Sequence, residues 1–306
     1  MSGIQPANPP TRHHFLPECY QRLWAGGDGK IERFAIEHGG QIRARRLAPA
    51  AVGWEPHLYR IPGEPDPWAA QRVETDFFSP LDAAAASVMR NMLETGGPPT
   101  TGPERSTWAS FLLALLHRTP ENLSATFYKL EELNADLMPE AEQRYAELRG
   151  PNDPPTFAQW EADRARHGLK RSMLRTVMDV IANPSSGPYL INLRWAVLDV
   201  SAADHKLMVS DNPVILVPLK LDGGHLALAI GPDHLFVASE HDRFMSAIKK
   251  TSPRQIARTA NRLMVERANR IVIASDRSQE HFVRKYFGTC RIGSLATGLR
   301  QPPRAV

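Results

Sequence analysis

Cysteine is scarce in this chain: Cys19 and Cys290 are the two among 306 residues. They stand near opposite ends, so neither a disulfide framework nor a cysteine-based zinc site is available. Both are expected as buried free thiols. Long hydrophobic runs are missing too. The first dozen residues, ending in Asn8-Pro9-Pro10-Thr11, hold no apolar run of the kind a secretory leader needs, and no later stretch approaches a membrane span. A cytoplasmic protein with no membrane partner is expected. Also absent are a Gly-x-Ser-x-Gly elbow, His-Glu-x-x-His, a phosphate loop, a dinucleotide fingerprint and paired Cys-x-x-Cys. These absences disfavour an α/β-hydrolase, a zincin, an NTPase and a dehydrogenase. Gly26-Gly27-Asp28-Gly29 lacks the lysine-serine ending of a phosphate loop and reads as a turn.

What is present fits an ordinary globular chain, with 42% hydrophobic and 23% charged residues. The formal charge of +4 points weakly to acidic partners such as nucleic acid. Its distribution says more. Arg254, Arg258 and Arg262 recur every four residues, and Arg164, Arg171 and Arg175, with Lys170 alongside, mark a second helical face. A solvated helix exterior accounts for such stripes, and a nucleic-acid surface is the functional alternative. No aromatic residues interleave with these arginines in sequence, as a single-strand stacking platform would require.

The pattern along the chain predicts an α+β fold. Lys30 to Ile36 and Gln41 to Leu47 alternate on either side of Gly39-Gly40 and form an N-terminal β-hairpin. The middle is helical. Asp66 caps a first helix bearing Val73, Phe77 and Leu81, and Ser79-Pro80 has the form of a fresh cap. Another helix carries Trp108 to Leu116, breaks at Thr119-Pro120 and restarts, and Phe157 to Ile181 forms a long basic helix after the linker-like segment 150–155. Short apolar runs at Arg194–Val200, Lys206–Val209, Val214–Leu219, His225–Ile230 and Leu235–Ser239 make a C-terminal, mostly antiparallel sheet with flanking helices. Ser252-Pro253 caps the helix of the second arginine stripe. Arg270 to Ala274 is a further strand, and Asp276 opens a last helix ending at Gly288. The expected organisation is a disordered tail over 1–11, a single domain over 12–290 and an irregular tail over 291–306.

Three short strings carry the chemistry: His13-His14-Phe15-Leu16-Pro17, Arg118-Thr119-Pro120 and Ser210-Asp211-Asn212-Pro213. Each sets groups capable of acid–base or anion chemistry beside a proline that fixes the backbone. In an extended segment His13 and His14 point to opposite faces, so one serves a site and the other the structure. Arg118 either sits at a helix end where the dipole favours it or clamps an anion. Asp211 and Asn212 form an Asx turn, hold a metal or orient a histidine. Glu74 is the remaining carboxylate of interest, with an ion pair as its bland role.

Taken in order, the His-His-x-x-Pro string, the hairpin, Val73-Glu74, Phe111 with Arg118-Thr119-Pro120, Ser210-Asp211-Asn212-Pro213 and a late helix carrying Asn261 resemble the bacterial family catalogued as domain of unknown function 4238. The resemblance covers most of the chain. It implies motif roles for His14, Pro17, Glu74, Arg118, Pro120, Asp211, Asn212, Pro213 and Asn261, and it brings no established activity. Glu18 stands where the family pattern has glutamine, and Gly231-Pro232-Asp233 replaces a Pro-Leu-Ser-Pro-like stretch.

The functional expectation is a hydrolase acting on phosphodiester bonds in nucleic acid. His13 or His14 is the general base, Asp211 orients it or holds a divalent cation, Arg118 stabilises the developing charge, and Glu74 and Asn212 complete the set. Two other readings stand beside it: a non-catalytic nucleic-acid-binding protein using the basic helices, and a structural or partner-binding protein whose motifs lock turns. The geometric test of the first is that at least one imidazole of the pair lies within hydrogen-bond or single-water reach of Asp211 or Asn212.

Overall fold

The computed structural model describes residues 8–37, 39–183 and 186–290, without the side chains of 161–166 and 186. Residues 1–7 of the expected N-terminal tail and the tail over 291–306 lie outside them. The chain starts as β1 (Arg12–His14), and Pro17 leads into a short helix, α1 (Glu18–Gln21). The Gln21 amide donates to the carbonyls of Leu16 (2.7 Å) and Val52 (2.8 Å), tying the His-His-Phe-Leu-Pro segment to the loop opposite. Gly53 completes that contact. Its φ of 69° and an approach of 2.9 Å from the Leu16 Cβ to where its own Cβ would stand leave room for no side chain.

The hairpin forms as its alternation requires: β2 (Ile31–Ile36) pairs antiparallel with β3 (Ile42–Leu47), with Gly39 and Gly40 between them at φ 83° and 73°. β4 (Trp54–Pro56) then returns to β1, which sets His13 opposite Glu55 and His14 opposite Trp54.

In the middle of the chain, the Asp66 carboxylate accepts from the N–H groups of Trp68 (3.0 Å) and Ala69 (3.2 Å), starting helical structure where expected. Ser79 does not cap. Residues Val73–Phe78 form a π-helical turn that runs directly into α2 (Ser79–Thr95). The cause is Pro80, which has no N–H to bond the Asp76 carbonyl and whose ring crowds it, so the wider turn absorbs the misfit. α3 (Gly102–His117) and α4 (Pro120–Leu148) are divided as expected, with the Thr119 hydroxyl accepting from the Asn122 N–H at 3.3 Å. The 150–155 segment is a turn joining α4 to α5 (Phe157–Ile181). Glu142 of α4 accepts from the N–H groups of Phe157 and Ala158, both at 2.8 Å, so the two helices form a hairpin.

After α6 (Ser186–Ile191) come β5 (Arg194–Asp199), β6 (Val209–Ser210), β7 (Ile215–Val217), β8 (His225–Ala229) and β9 (His234–Ser239). The chain finishes with α7 (Asp242–Lys250), α8 (Pro253–Glu266), β10 (Ile271–Ala274) and α9 (Glu280–Tyr286). The expected single C-terminal sheet is corrected in one respect. One antiparallel sheet runs β5-β9-β8-β7, but β6 joins a second, ordered β3-β2-β10-β6, with the N-terminal hairpin. Asp211, immediately after β6, provides the lock: its N–H donates to the Ile271 carbonyl at 3.2 Å and holds the strand against β10. Asp276 bonds the Ser278 N–H at 2.8 Å in a turn, and the last helix begins later, at Glu280.

The core couples these parts. Trp108 of α3 stacks on Phe111 and meets Phe236 of β9 edge-on at 5.5 Å. Tyr20 donates to the Ala229 carbonyl at 2.6 Å and Trp24 to that of Leu207 at 2.7 Å, so these two buried aromatics keep their polar ends satisfied, whereas the Trp108 Nε1 is buried without a partner. The architecture is α+β, and among the described residues no helix is long and apolar enough to cross a membrane. The cysteines differ from expectation: Cys19 is half-buried, and Cys290 is exposed.

Candidate functional site

The opposite-face expectation for the histidine pair holds on β1. His13 is wholly buried and stacks on Tyr59 at 5.5 Å, while His14 is half-buried. The Nδ1 of His13 accepts from the Tyr59 N–H at 2.9 Å, which leaves the ring proton on Nε2. Burial holds its pKa down at about 4, so the ring is neutral at neutral pH. Burial also lowers the His14 pKa, against the opposing charge of Glu18.

Arg118 closes α3, and its guanidinium is fully buried. Its Nε donates to the Phe15 carbonyl (3.1 Å), and Nη1 donates to both oxygens of Asp82 on α2 (2.9 and 3.1 Å). The group lies 5.3 Å from the centre of the Phe78 ring, and the Tyr59 hydroxyl donates to the Arg118 carbonyl at 2.9 Å. Glu74, in the π-helical turn, accepts from the Ser79 hydroxyl at 3.5 Å. Burial pushes its carboxyl up to about 7, with Arg118 pulling down and Asp82 adding to the rise. The Arg118 charge thus acts on both Glu74 and His14, though no hydrogen bond or ion pair joins it to either among the described residues. Asp82 and Tyr59, which complete this cluster, carry no signal in the sequence that distinguishes them from a capping residue and a core aromatic.

Asp211 has different partners. Its Oδ1 accepts from the Asn269 N–H (3.0 Å) and its Oδ2 from the Arg270 N–H (2.7 Å). Burial raises its pKa to about 7, with the Glu121 charge contributing. Asn212 is half-buried, its N–H donating to the Ser210 hydroxyl at 3.2 Å, and Pro213 is buried at the turn into β7. Among the described residues no hydrogen bond joins either imidazole to Asp211 or Asn212. The connection that exists is indirect: the Arg270 guanidinium pairs with Glu121 at 2.5 Å and with Glu55, the residue opposite His13. Pro17 and Pro120 stand at the starts of α1 and α4. Among the described residues no three His, Cys, Asp or Glu side chains are grouped to hold a metal ion.

The arginine stripe of α8 lines a groove of about 460 Å³ shared with α9 and the loop at Asp204-His205. The aromatic residues absent from the stripe in sequence are supplied by the fold: Phe282 and Tyr286 of α9 line the same groove. The Arg262 guanidinium lies over the Tyr286 ring at 3.5 Å, and Phe282 packs against Tyr286 at 4.9 Å. Arg254 pairs with Asp204 at 2.9 Å and Arg262 with Glu266, whereas Arg258 has no carboxylate partner among the described residues. His205 and His281 stand at the exposed rim. Asn261 positions these walls. Its Oδ1 accepts from the Met208 N–H (2.8 Å), and its Nδ2 donates to the Lys206 carbonyl (2.8 Å) and to Gln279 (3.0 Å).

The basic face of α5 is organised differently. Arg171 donates to the Pro62 carbonyl at 2.9 Å, and Lys170 is half-buried beside Arg60 and His57 in a shallow hollow. Burial and the Arg60 charge lower the Lys170 pKa. Arg175 is exposed, and the Arg164 side chain lies outside the described residues.

A search of curated proteins and a search of solved structures returned no match. The family profile described as "Protein of unknown function (DUF4238)" matches residues 12–278, which cover all three motif strings and Asn261. With most of its length inside that match, the chain belongs to the DUF4238 family.

Proposed function

We propose that the chain binds single-stranded nucleic acid in the groove between α8 and α9, as a non-catalytic reader of backbone and base. The observation that carries the reading is the meeting of the Arg254, Arg258 and Arg262 stripe with Phe282 and Tyr286 in one groove. Single strands are held by positive charge that tracks the phosphates together with aromatic faces that stack the bases. Arg258 supplies a cation with no competing carboxylate among the described residues. The pairs made by Arg254 and Arg262 are exposed, and such pairs hold weakly enough to be exchanged for a phosphate. The test is anisotropy of a labelled single-stranded oligonucleotide. Arg258→Gln and Tyr286→Ala each weaken binding, and Arg258→Gln flattens the salt dependence. Unchanged affinity in both variants rejects the reading.

A second reading, hydrolysis of a phosphodiester, is favoured by one observation: Glu74, with its pKa near 7, and the half-buried His14 both lie within the field of the buried Arg118. A nuclease and phosphodiesterase panel, run with and without divalent cations, tests it. Activity lost in Glu74→Gln and His14→Ala supports it, and an inert unmodified protein removes it.

A further inference from the structure

The other face of α8 borders a second space. Between the β7-β8-β9 sheet and helices α7 and α8 lies a half-open cavity of about 240 Å³. Its floor follows from register. Ala227 is paired with Ile215 on one side and Val237 on the other, so a single methyl stands at the middle of a face whose flanking positions are branched. Phe244, Ile248, Ile256 and Leu263 close the apolar walls without filling the gap. Protein interiors are normally packed to the density of organic crystals, and here the helices leave part of the sheet face open to solvent instead. An apolar cavity of about 150 Å³ already accepts benzene.

The chemistry of the lining narrows the occupant. Among the described residues no Asp, Glu, Lys or Arg lines the cavity, so an ionic ligand finds no counter-charge in that lining. Thr251, Gln255 and Thr259 give it a polar margin. The Thr251 hydroxyl is already committed to the Ala247 carbonyl at 3.0 Å, whereas His225 is fixed with a ring nitrogen to spare: its ring stacks on Phe244 at 4.4 Å, and its Nδ1 donates to the Gly223 carbonyl at 2.8 Å. That bond commits the proton to Nδ1 and leaves Nε2 as an acceptor. We propose that this cavity binds a small neutral molecule with a ring-sized apolar body and one hydroxyl, the hydroxyl donating to Nε2 of His225.

The probes are 4-methylphenol, toluene and benzoate, tested on the full chain. In methyl-resolved NMR of the unmodified protein, 4-methylphenol shifts the methyl signals of Ile215, Ala227, Val237 and Ile248, toluene shifts them with weaker affinity, and benzoate leaves them in place. Ala227→Leu fills the floor and abolishes the response to both neutral probes. His225→Phe retains the stack on Phe244 and weakens 4-methylphenol about tenfold, to the level of toluene, whose own affinity is unchanged. Methyl shifts confined to other parts of the protein, or no shifts, overturn the site whether or not Ala227→Leu folds. Equal binding of benzoate, or unchanged 4-methylphenol affinity in His225→Phe, overturns the assigned ligand class.

Discussion

Arg118 and Asp82 form a buried ion pair across α3 and α2, with the arginine fully enclosed and its Nη1 donating to both carboxylate oxygens. Removing one partner strands a charge that has no access to water. Asp82→Ala is therefore expected to destabilise the fold by about 3–5 kcal/mol, read by urea unfolding. A change below about 0.5 kcal/mol would show that the pair does not hold the helices.

Glu74 gives the fold a pH dependence of definite sign. Its carboxyl titrates near 7 in the folded chain, well above the ordinary carboxylate range, so the folded state binds more protons than the unfolded one between those values. This contribution is favourable below the unfolded pKa and declines as pH rises towards 7. Glu74→Gln removes it, so the variant should gain on the unmodified protein by about 1.4 kcal/mol per pH unit across that window. Parallel urea curves for the two proteins from pH 5 to pH 7, taken as about the span of the shift, check it; a constant difference contradicts it.

His13 acts with the opposite sign. Its folded pKa, near 4, lies below the ordinary imidazole value, so the unfolded chain takes up the proton first and stability falls as the solution is acidified through that interval. His13→Leu should flatten this acid limb while leaving the Tyr59 N–H without its acceptor, at a cost of about 1–3 kcal/mol at neutral pH. Retention of the acid limb in the variant assigns it to other groups.

Asp211 is expected to behave as a fastener for the 269–271 segment. Asp211→Ala leaves the N–H groups of Asn269 and Arg270 unpaired and should cost about 2 kcal/mol or more, with Asp211→Asn intermediate because one amide oxygen remains. Hydrogen exchange at the two amides reports this directly. Unchanged protection in Asp211→Ala contradicts the role.

Local signals were legible in the sequence, and long-range ones were not. The β2–β3 hairpin and the Thr119-Pro120 break depend on neighbours within a few residues, so alternation, Gly39-Gly40 and the cap chemistry were enough. The π-helical turn was hidden because Val73, Phe77 and Leu81 keep a spacing of four that also suits an α-helix. Asp211 could be recognised as a turn residue, but its partners lie 58 and 59 positions away. Phe282 and Tyr286 look unrelated to the α8 arginines until α9 folds back along them, anchored through Asn261 and Gln279.

The groove itself is tested most directly by crosslinking. A single-stranded RNA carrying 4-thiouridine, bound at low salt, irradiated and analysed by mass spectrometry, should crosslink to Phe282 or Tyr286 within α9. Crosslinks should disappear as salt is raised from about 50 to about 200 mM, in step with loss of binding. Bound RNA that crosslinks elsewhere, on the α5 face for example, or no binding at low salt, would contradict the account.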